Sequence, residues 1–306
     1  MISQLVSVII PLYNRVELIE ETILSVICQT YTNFELIIVD DDSNDGSLAL
    51  VKSLAEKDVR IIVHSRPKEF PRGANSCRNY GLIKSKGTYI KWLDSDDLLM
   101  PNALSLQVEN IEESDADVSL CRTIRFSKVD RDEQLLNEWG NILSEATIHN
   151  YICFNFQWHT CSALWKSSYF NNHKNIWDNE LMNSQEWLFH LEVLIKGLRI
   201  AKVDTFLCKA RVHQGSMSND LNKRGKYYYH QCWSRYKAAL ILNKHKYPIT
   251  KDYFYLYRKM IHFNFFIFYK GRPDLGVKAF LFYPKFTLFL IFKIFRKRLN
   301  YFYNFK

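Results

Sequence analysis

Three apolar runs, each ending abruptly in a polar cluster, restrict this chain more than any other feature. Val6-Ser7-Val8-Ile9-Ile10 is halted by Pro11 and followed by Leu12-Tyr13-Asn14-Arg15; Glu35 to Val39 runs into Asp40-Asp41-Asp42-Ser43; Thr88 to Leu93 runs into Asp94-Ser95-Asp96-Asp97. Continuous apolar runs of this length read as strands buried on both faces, as in a parallel sheet covered by helices. Between them, Ile19, Ile23, Val26 and Ile27 fall at helical spacing, Ser47 to Lys57 and Ala74 to Lys86 read as helices, and Val59 to Val63 reads as a further strand. The alternation predicts βαβ units with right-handed crossovers and a ligand crevice at the carboxyl ends of the strands, where all three polar clusters fall.

Asp94, Asp96 and Asp97 at one strand tip repel one another unless a cation or hydrogen-bond donors compensate. A hard divalent ion such as Mg²⁺ or Mn²⁺, bridging one or two carboxylates to a substrate diphosphate, suits them. An acidic turn capping the helix that begins near Pro101 is the alternative.

Val-Ser-Val-Ile-Ile-Pro-Leu-Tyr-Asn at 6–14, Val-Asp-Asp-Asp-Ser at 39–43 and Cys-Arg-Asn-Tyr-Gly at 77–81 ahead of Leu-Asp-Ser-Asp-Asp resemble, in wording, order and spacing, glycosyltransferase family 2. The resemblance is strong over 5–104, weakens across 105–150 and returns in fragments at 184–218. It implies a GT-A fold: a Rossmann-like, mostly parallel α/β sheet flanked by helices, here with a C-terminal helical extension. It further implies a nucleoside-diphosphate sugar donor, by family habit a UDP-sugar, Mn²⁺ or Mg²⁺ at the Asp-X-Asp motif, and inversion at the anomeric carbon. By the same resemblance Pro11, Tyr13 and Asn14 line the nucleotide pocket with the Tyr13 ring against the base, and Asp41 accepts a hydrogen bond from uracil. Arg78 faces the nucleotide or diphosphate, Asp94 contacts the ribose or the metal through water, and Asp96 is the principal metal ligand. Asp97 is left to cap the following helix, and Gly73 and Gly81 to permit close backbone approach.

The block Ser184-Gln185-Glu186-Trp187 matches the place of the family's catalytic base, with Glu186 where Asp is usual and Asp178 and Glu180 as alternates. Arg211-Val212-His213-Gln214-Gly215-Ser216 resembles the next block, which makes His213 a metal or diphosphate contact. Trp158, His159 and Trp187 are candidates either for stacking on sugar faces or for the core.

The expected organisation is a nucleotide-sugar-binding half over 1–104, an acceptor-binding half over 105–218, and a helical, membrane-peripheral extension over 219–306. The charged stretch Lys128 to Glu138 reads as a solvated loop. Of the net charge of +9, eight Lys or Arg against the single acid Asp274 leave +7 in residues 271–306, among many Phe and Tyr. Cations with interfacial aromatics suit an anionic membrane surface, and no apolar stretch approaches the roughly 20 residues of a spanning helix. Seven cysteines without a Cys-X-X-Cys pair read as free thiols, and the N-terminus lacks the pattern of a secretory signal. The expectation is a cytoplasmic protein, peripheral at the inner face of the membrane, acting on a glycan or lipid-linked acceptor and not on nucleic acid. The absence of Gly-X-Gly-X-X-Gly after the first strand disfavours a dinucleotide-dependent oxidoreductase. A non-catalytic sugar-nucleotide-binding scaffold is the remaining rival.

Overall fold

In the computed structural model, which describes residues 4–129, 132–171, 176–213, 215, 224–248, 250–269, 272–281, 284 and 288, the apolar runs form the strands that the sequence predicts. Strands β1 (Val6–Leu12) and β2 (Phe34–Asp40) are buried along their whole length. They pair in parallel with each other, β2 with β3 (Ile61–Ser65), and β1 with β4 (Tyr89–Trp92). β1 is not halted at Pro11 but continues to Leu12. Its pairing with β4 stops at Ile9, so the missing proline N–H breaks no ladder bond there.

The helices between these strands are α1 (Ile19–Ile27), α2 (Ser47–Ala55) and α3 (Ala74–Lys84). α3 lies close on the sheet because it has Gly81, where an added Cβ would collide with Ile9 Cγ2. Gly73 has a different role: its surroundings are open, but φ is +134°, and it immediately precedes α3.

Beyond β4 the sheet turns mixed. The two-residue β5 (Leu98–Leu99), helix α4 (Ala103–Ser114), the long β6 (Val118–Val129), β7 (Asp132–Glu138), the short helix α5 (Ile148–Ile152), β8 (Ala163–Lys166) and β9 (Ile200–Arg211) complete the order β3-β2-β1-β4-β8-β6-β9-β5, with β7 on β6. The charged stretch expected as a loop is this β6–β7 hairpin. Lys128 and Glu133 stand opposite each other in its register, and their charges are paired outside it, Lys128 with Glu21 at 2.7 Å and Glu133 with Lys209 on β9 at 2.6 Å. β7 is exposed along most of its length, with the acids Asp132, Glu133 and Glu138 at its ends and Leu135 and Leu136 between them.

By its internal contacts the chain divides into one unit of Met1–Asn179 and Gly197–His213, and a second of Glu180–Lys196 and Gln214–Lys306. The first holds the whole sheet. The second is helical, with α6 (Gln185–Ile195), α7 (Arg224–Lys244), α8 (Lys251–Tyr269) and α9 (Pro273–Phe280). Its aromatics are partly core: Tyr228 of α7 stacks on Phe266 of α8 at 5.2 Å, and Tyr253, Leu256 and Met260 are fully buried. Phe254, Ile261 and Phe265 on α8 face outward. No helix among the described residues is long and apolar enough to cross a membrane. Most of the basic tail beyond Leu281 lies outside the described residues.

Candidate active site

Parallel strands that stop in register leave their following residues on one edge of the sheet, and β1, β2 and β4 deliver three groups there. After β1, Asn14 adopts a left-handed backbone (φ 48°) and forms a reciprocal pair with Asn44, its Oδ1 accepting from the Asn44 amide at 2.9 Å and its Nδ2 donating to Asn44 Oδ1 at 3.0 Å. Pro11 is buried in the strand, whereas Tyr13 is 43% exposed and carries the Arg72 guanidinium over its ring at 4.8 Å. The backbone amide of Asp41, just past β2, donates to Leu12 O at 2.8 Å, which ties the β1 and β2 tips together. Pro11, Tyr13, Asn14 and Asp41 thus form one neighbourhood.

Past β4, Asp94 accepts from Arg78 Nη2 at 2.5 Å. Burial would raise the Asp94 carboxyl, but Arg78, His159 and Arg15 together hold it below the usual carboxylate range. Arg78 is itself braced: Asn75 Oδ1 accepts from its Nη1 at 3.1 Å, and the Trp177 ring lies under it at 4.7 Å. The polar face of α3 fixes that tryptophan, since Asn79 Oδ1 accepts from the amides of Ile176 and Trp177, both at 3.0 Å.

Asp96 meets His213, whose Nε2 lies 2.9 Å from Asp96 Oδ2, and Arg15 Nε is 3.8 Å from the same oxygen. The donors fit the implied cation. In octahedral coordination at about 2.1 Å, adjacent ligand atoms stand about 3 Å apart, the separation these two atoms already have, and a carboxylate with an imidazole suits Mn²⁺, whereas Mg²⁺ favours oxygen ligands alone. Residues 214 and 216–220 of the His213 block lie outside the described residues.

Asp97 does not cap the next helix, whose N-cap residue is Asn102. It is buried instead, accepting from the Arg211 amide at 3.0 Å and facing His159 Nδ1 at 3.6 Å. Burial, then the Asp96 and Asp94 charges, push its carboxyl well above the usual range. Of the three adjacent carboxylates, Asp97 is thus turned inward, while Asp94 and Asp96 stay partly exposed.

Glu186 belongs to the helical unit, in the first turn of α6, where its charge meets the positive end of the helix macrodipole. The turn before it is pinned to α7: Asn183 Oδ1 accepts from Gln231 Nε2 at 2.7 Å, and Arg235 Nη1 donates to Ser184 Oγ at 3.3 Å. Of the aromatic candidates, Trp158 packs against Tyr151 and Phe156 in the core, and Trp187 is buried beneath Arg235 at 4.2 Å.

Three arginines escaped the sequence reading. Arg15 follows Asn14 directly, Arg211 precedes His213 by two residues, and Arg66 stands just past the end of β3, so position beside a strand tip was the available signal.

The mixed α/β sheet flanked by helices, with Asp94 and Asp96 at the edge where its parallel strands end, has the GT-A fold of glycosyltransferases. Residues 7–170 match the family described as Glycosyl transferase family 2, and the chain belongs to that family. It is 38% identical over 104 residues to the UDP-Glc:alpha-D-GlcNAc-diphosphoundecaprenol beta-1,3-glucosyltransferase WfgD of Escherichia coli, covering 34% of this chain and 40% of that one. The chain spans between 15% and 42% of the length of five other curated glycosyltransferases that it matches. In fold it is similar to S. aureus TarS 1-349 in complex with UDP-GlcNAc (TM-score 0.60, 20% identity, 85% of this chain and 80% of that one). It is also similar to the mannosyltransferase PcManGT of Pyrobaculum calidifontis in complex with GDP-Man and Mn²⁺ (TM-score 0.58, 16% identity, 90% of this chain and 73% of that one). At these identities the structural likeness speaks for the fold alone.

Proposed function

We propose that the protein is a metal-dependent, inverting glycosyltransferase that moves a sugar from a nucleoside-diphosphate sugar, with UDP the favoured nucleotide, to a hydroxyl of a glycan or lipid-linked oligosaccharide in cell-surface polysaccharide assembly. The reading rests on the convergence of Asp96 and His213, 2.9 Å apart, beside an Asp94 already held by Arg78. The names of WfgD and of the TarS complex, which print UDP-Glc, a diphosphoundecaprenol acceptor and UDP-GlcNAc, support the choice of donor and acceptor.

In this scheme Tyr13, Asn14 and Asp41 hold the base and ribose, with Pro11 shaping the turn beneath them. Asp94 orients the ribose, and Arg78 and Arg15 face the diphosphate with positive charge. A divalent cation held by Asp96 and His213 would neutralise the charge that develops on the leaving diphosphate. Glu186 takes the proton from the acceptor hydroxyl as that oxygen attacks the anomeric carbon from the face opposite the leaving group, so configuration inverts. The transition state is oxocarbenium-like, as in other glycosyl chemistry. The basic, aromatic C-terminal region brings the protein to the anionic inner face of the membrane, where a lipid-linked acceptor resides.

The test is Glu186→Gln, which keeps shape but cannot accept the proton. Sugar transfer from UDP-sugars should fall on the order of 10² to 10⁴-fold with donor binding nearly intact. Wild-type turnover in the variant would move the base to Asp178 or Glu180. A scaffold would bind the donor, and neither protein would turn it over.

A further inference from the structure

We propose that Arg66 sets which base the nucleotide pocket accepts, by fixing which atoms Asp41 turns toward it. The inference rests on the reading of Asp41 as the base-contacting residue and adds a second residue to it.

Arg66 follows β3 and is 9% exposed. Its amide donates to Asp40 O at 2.8 Å, extending the β2–β3 ladder by one bond. Its guanidinium is then used in three directions. Nη1 donates to the carbonyls of Pro67 at 3.1 Å and Phe70 at 2.6 Å, Nη2 donates to Asp42 Oδ2 at 2.8 Å, and Nε donates to Asp41 Oδ1. Four of the five N–H bonds are engaged in one rigid plane, so the fork cannot turn without breaking several at once.

Asp41 therefore offers an asymmetric edge. Oδ1 is taken by Arg66, while Oδ2 accepts no hydrogen bond among the described residues. A free carboxylate with both oxygens available matches guanine, whose N1–H and N2–H lie side by side. With one oxygen engaged, the edge matches a base that offers a single N–H, and uracil or thymine does so at N3. Cytosine places a lone pair where uracil has that N–H, so it meets the remaining oxygen acceptor to acceptor. Arg66 thus turns an acidic contact that would also suit guanine into one that selects the imide bases.

The same lock makes a sharper claim about an amide at position 41. Arg66 Nε–H needs an acceptor, so in Asp41→Asn the amide oxygen must turn to Arg66 and the amide nitrogen toward the base. The pocket then presents a donor, which suits cytosine N3 and not uracil N3–H.

Titration of the full chain with UDP, CDP and GDP in the presence of Mn²⁺ tests this. Wild type should prefer UDP to both others, and Asp41→Asn should reverse the UDP/CDP preference by at least about tenfold. The double variant Asp41→Asn with Arg66→Met frees the amide to flip, so its UDP and CDP affinities should come within about threefold of each other. Asp41→Asn is isosteric and keeps the Arg66 partner, so its result stands even if the double variant fails to fold. An Asp41→Asn protein that still prefers UDP, or that weakens for all three nucleotides equally, overturns the proposal while leaving the transferase reading intact. Wild-type protein that binds none of the three overturns both.

Discussion

Arg211 fixes the backbone of Asp96: its Nε donates to the Asp96 carbonyl at 2.8 Å, and its own amide donates to Asp97 Oδ1 at 3.0 Å. Two residues beyond Arg211, His213 reaches the Asp96 side chain. One strand end therefore supplies both the imidazole that meets the carboxylate and the clamp that holds the turn carrying it. Arg211 is in turn held by Glu21 Oε2 at 2.7 Å and by the Phe126 ring, 4.6 Å below.

Replacing Arg211 with Met keeps much of the packing and removes the donors. The Mn²⁺-dependent part of UDP affinity should fall about tenfold, the scale of one or two charged hydrogen bonds lost. Arg211→Lys should not restore it, because a single ammonium cannot reach the Asp96 carbonyl and Glu21 in the same fork. UDP titrations with Mn²⁺ and with EDTA read the difference, and equal metal dependence in wild type and Arg211→Met would show that the turn holds without its clamp.

Asp96→Asn removes one anionic ligand without changing volume. Transfer and the Mn²⁺-dependent gain in nucleotide affinity should both vanish, while the melting temperature without ligand stays within about 3 °C of wild type, the size of a surface-charge effect. Thermal shift separates the two effects, since a nucleotide that binds only the folded state raises the melting temperature in proportion to its affinity. A variant whose UDP-induced shift still grows with Mn²⁺ would assign the metal elsewhere.

Much of this arrangement was legible in the residue pattern, and what was missed has a physical reason. β1, β2 and β4 are buried over their whole length, so their hydrophobic runs survive in the sequence undiluted. The Lys128 to Glu138 stretch forms a strand pair held by ion pairs and cross-strand register, and hydrophobic periodicity is blind to both. Asp94, Asp96 and His213 could be picked out because chemistry and motif coincide there. Arg66 and Arg211 carry only the weaker signal of standing at a strand end, since their carboxylate partners, Asp41 and Glu21, come from other parts of the chain. Asp97 was misread for a related reason: a carboxylate before a helix favours capping, and only the packed sheet shows that it turns inward.

The two glycines flanking and within α3 should fail differently. Gly81→Ala drives a methyl into Ile9 on β1 and should destabilise by about 1–3 kcal/mol, the cost of overpacking a tight interface. Gly73→Ala meets open space, and its cost, about 1–3 kcal/mol, comes only from a backbone (φ +134°, ψ 159°) that glycine alone adopts readily. Urea unfolding gives both values. A Gly81→Ala loss well under about 1 kcal/mol would mean that α3 can lift off the sheet to admit the methyl.

For the membrane, the informative cut lies after Leu281 rather than before α9. Leu275 and Ala279 of α9 are buried, and Asn264 Nδ2 on α8 donates to Gly276 O at 3.3 Å, so removing α9 would damage the helical unit itself. Residues 282–306 hold six Lys or Arg (Lys285, Lys293, Arg296, Lys297, Arg298 and Lys306) and no acid. Each is worth about 1 kcal/mol near an anionic bilayer, and salt screens the attraction. Deleting 282–306 should therefore remove the salt-sensitive part of binding to phosphatidylserine vesicles while transfer to a soluble acceptor continues. Wild-type binding should weaken as ionic strength rises, leaving a salt-resistant remainder from apolar side chains such as Phe254, Ile261 and Phe265, which stand 51%, 49% and 67% exposed on α8. Vesicle sedimentation measures both effects. Unchanged sedimentation of the truncated protein would leave the basic tail without a membrane role, and a truncated protein that loses UDP binding would make the tail part of the fold.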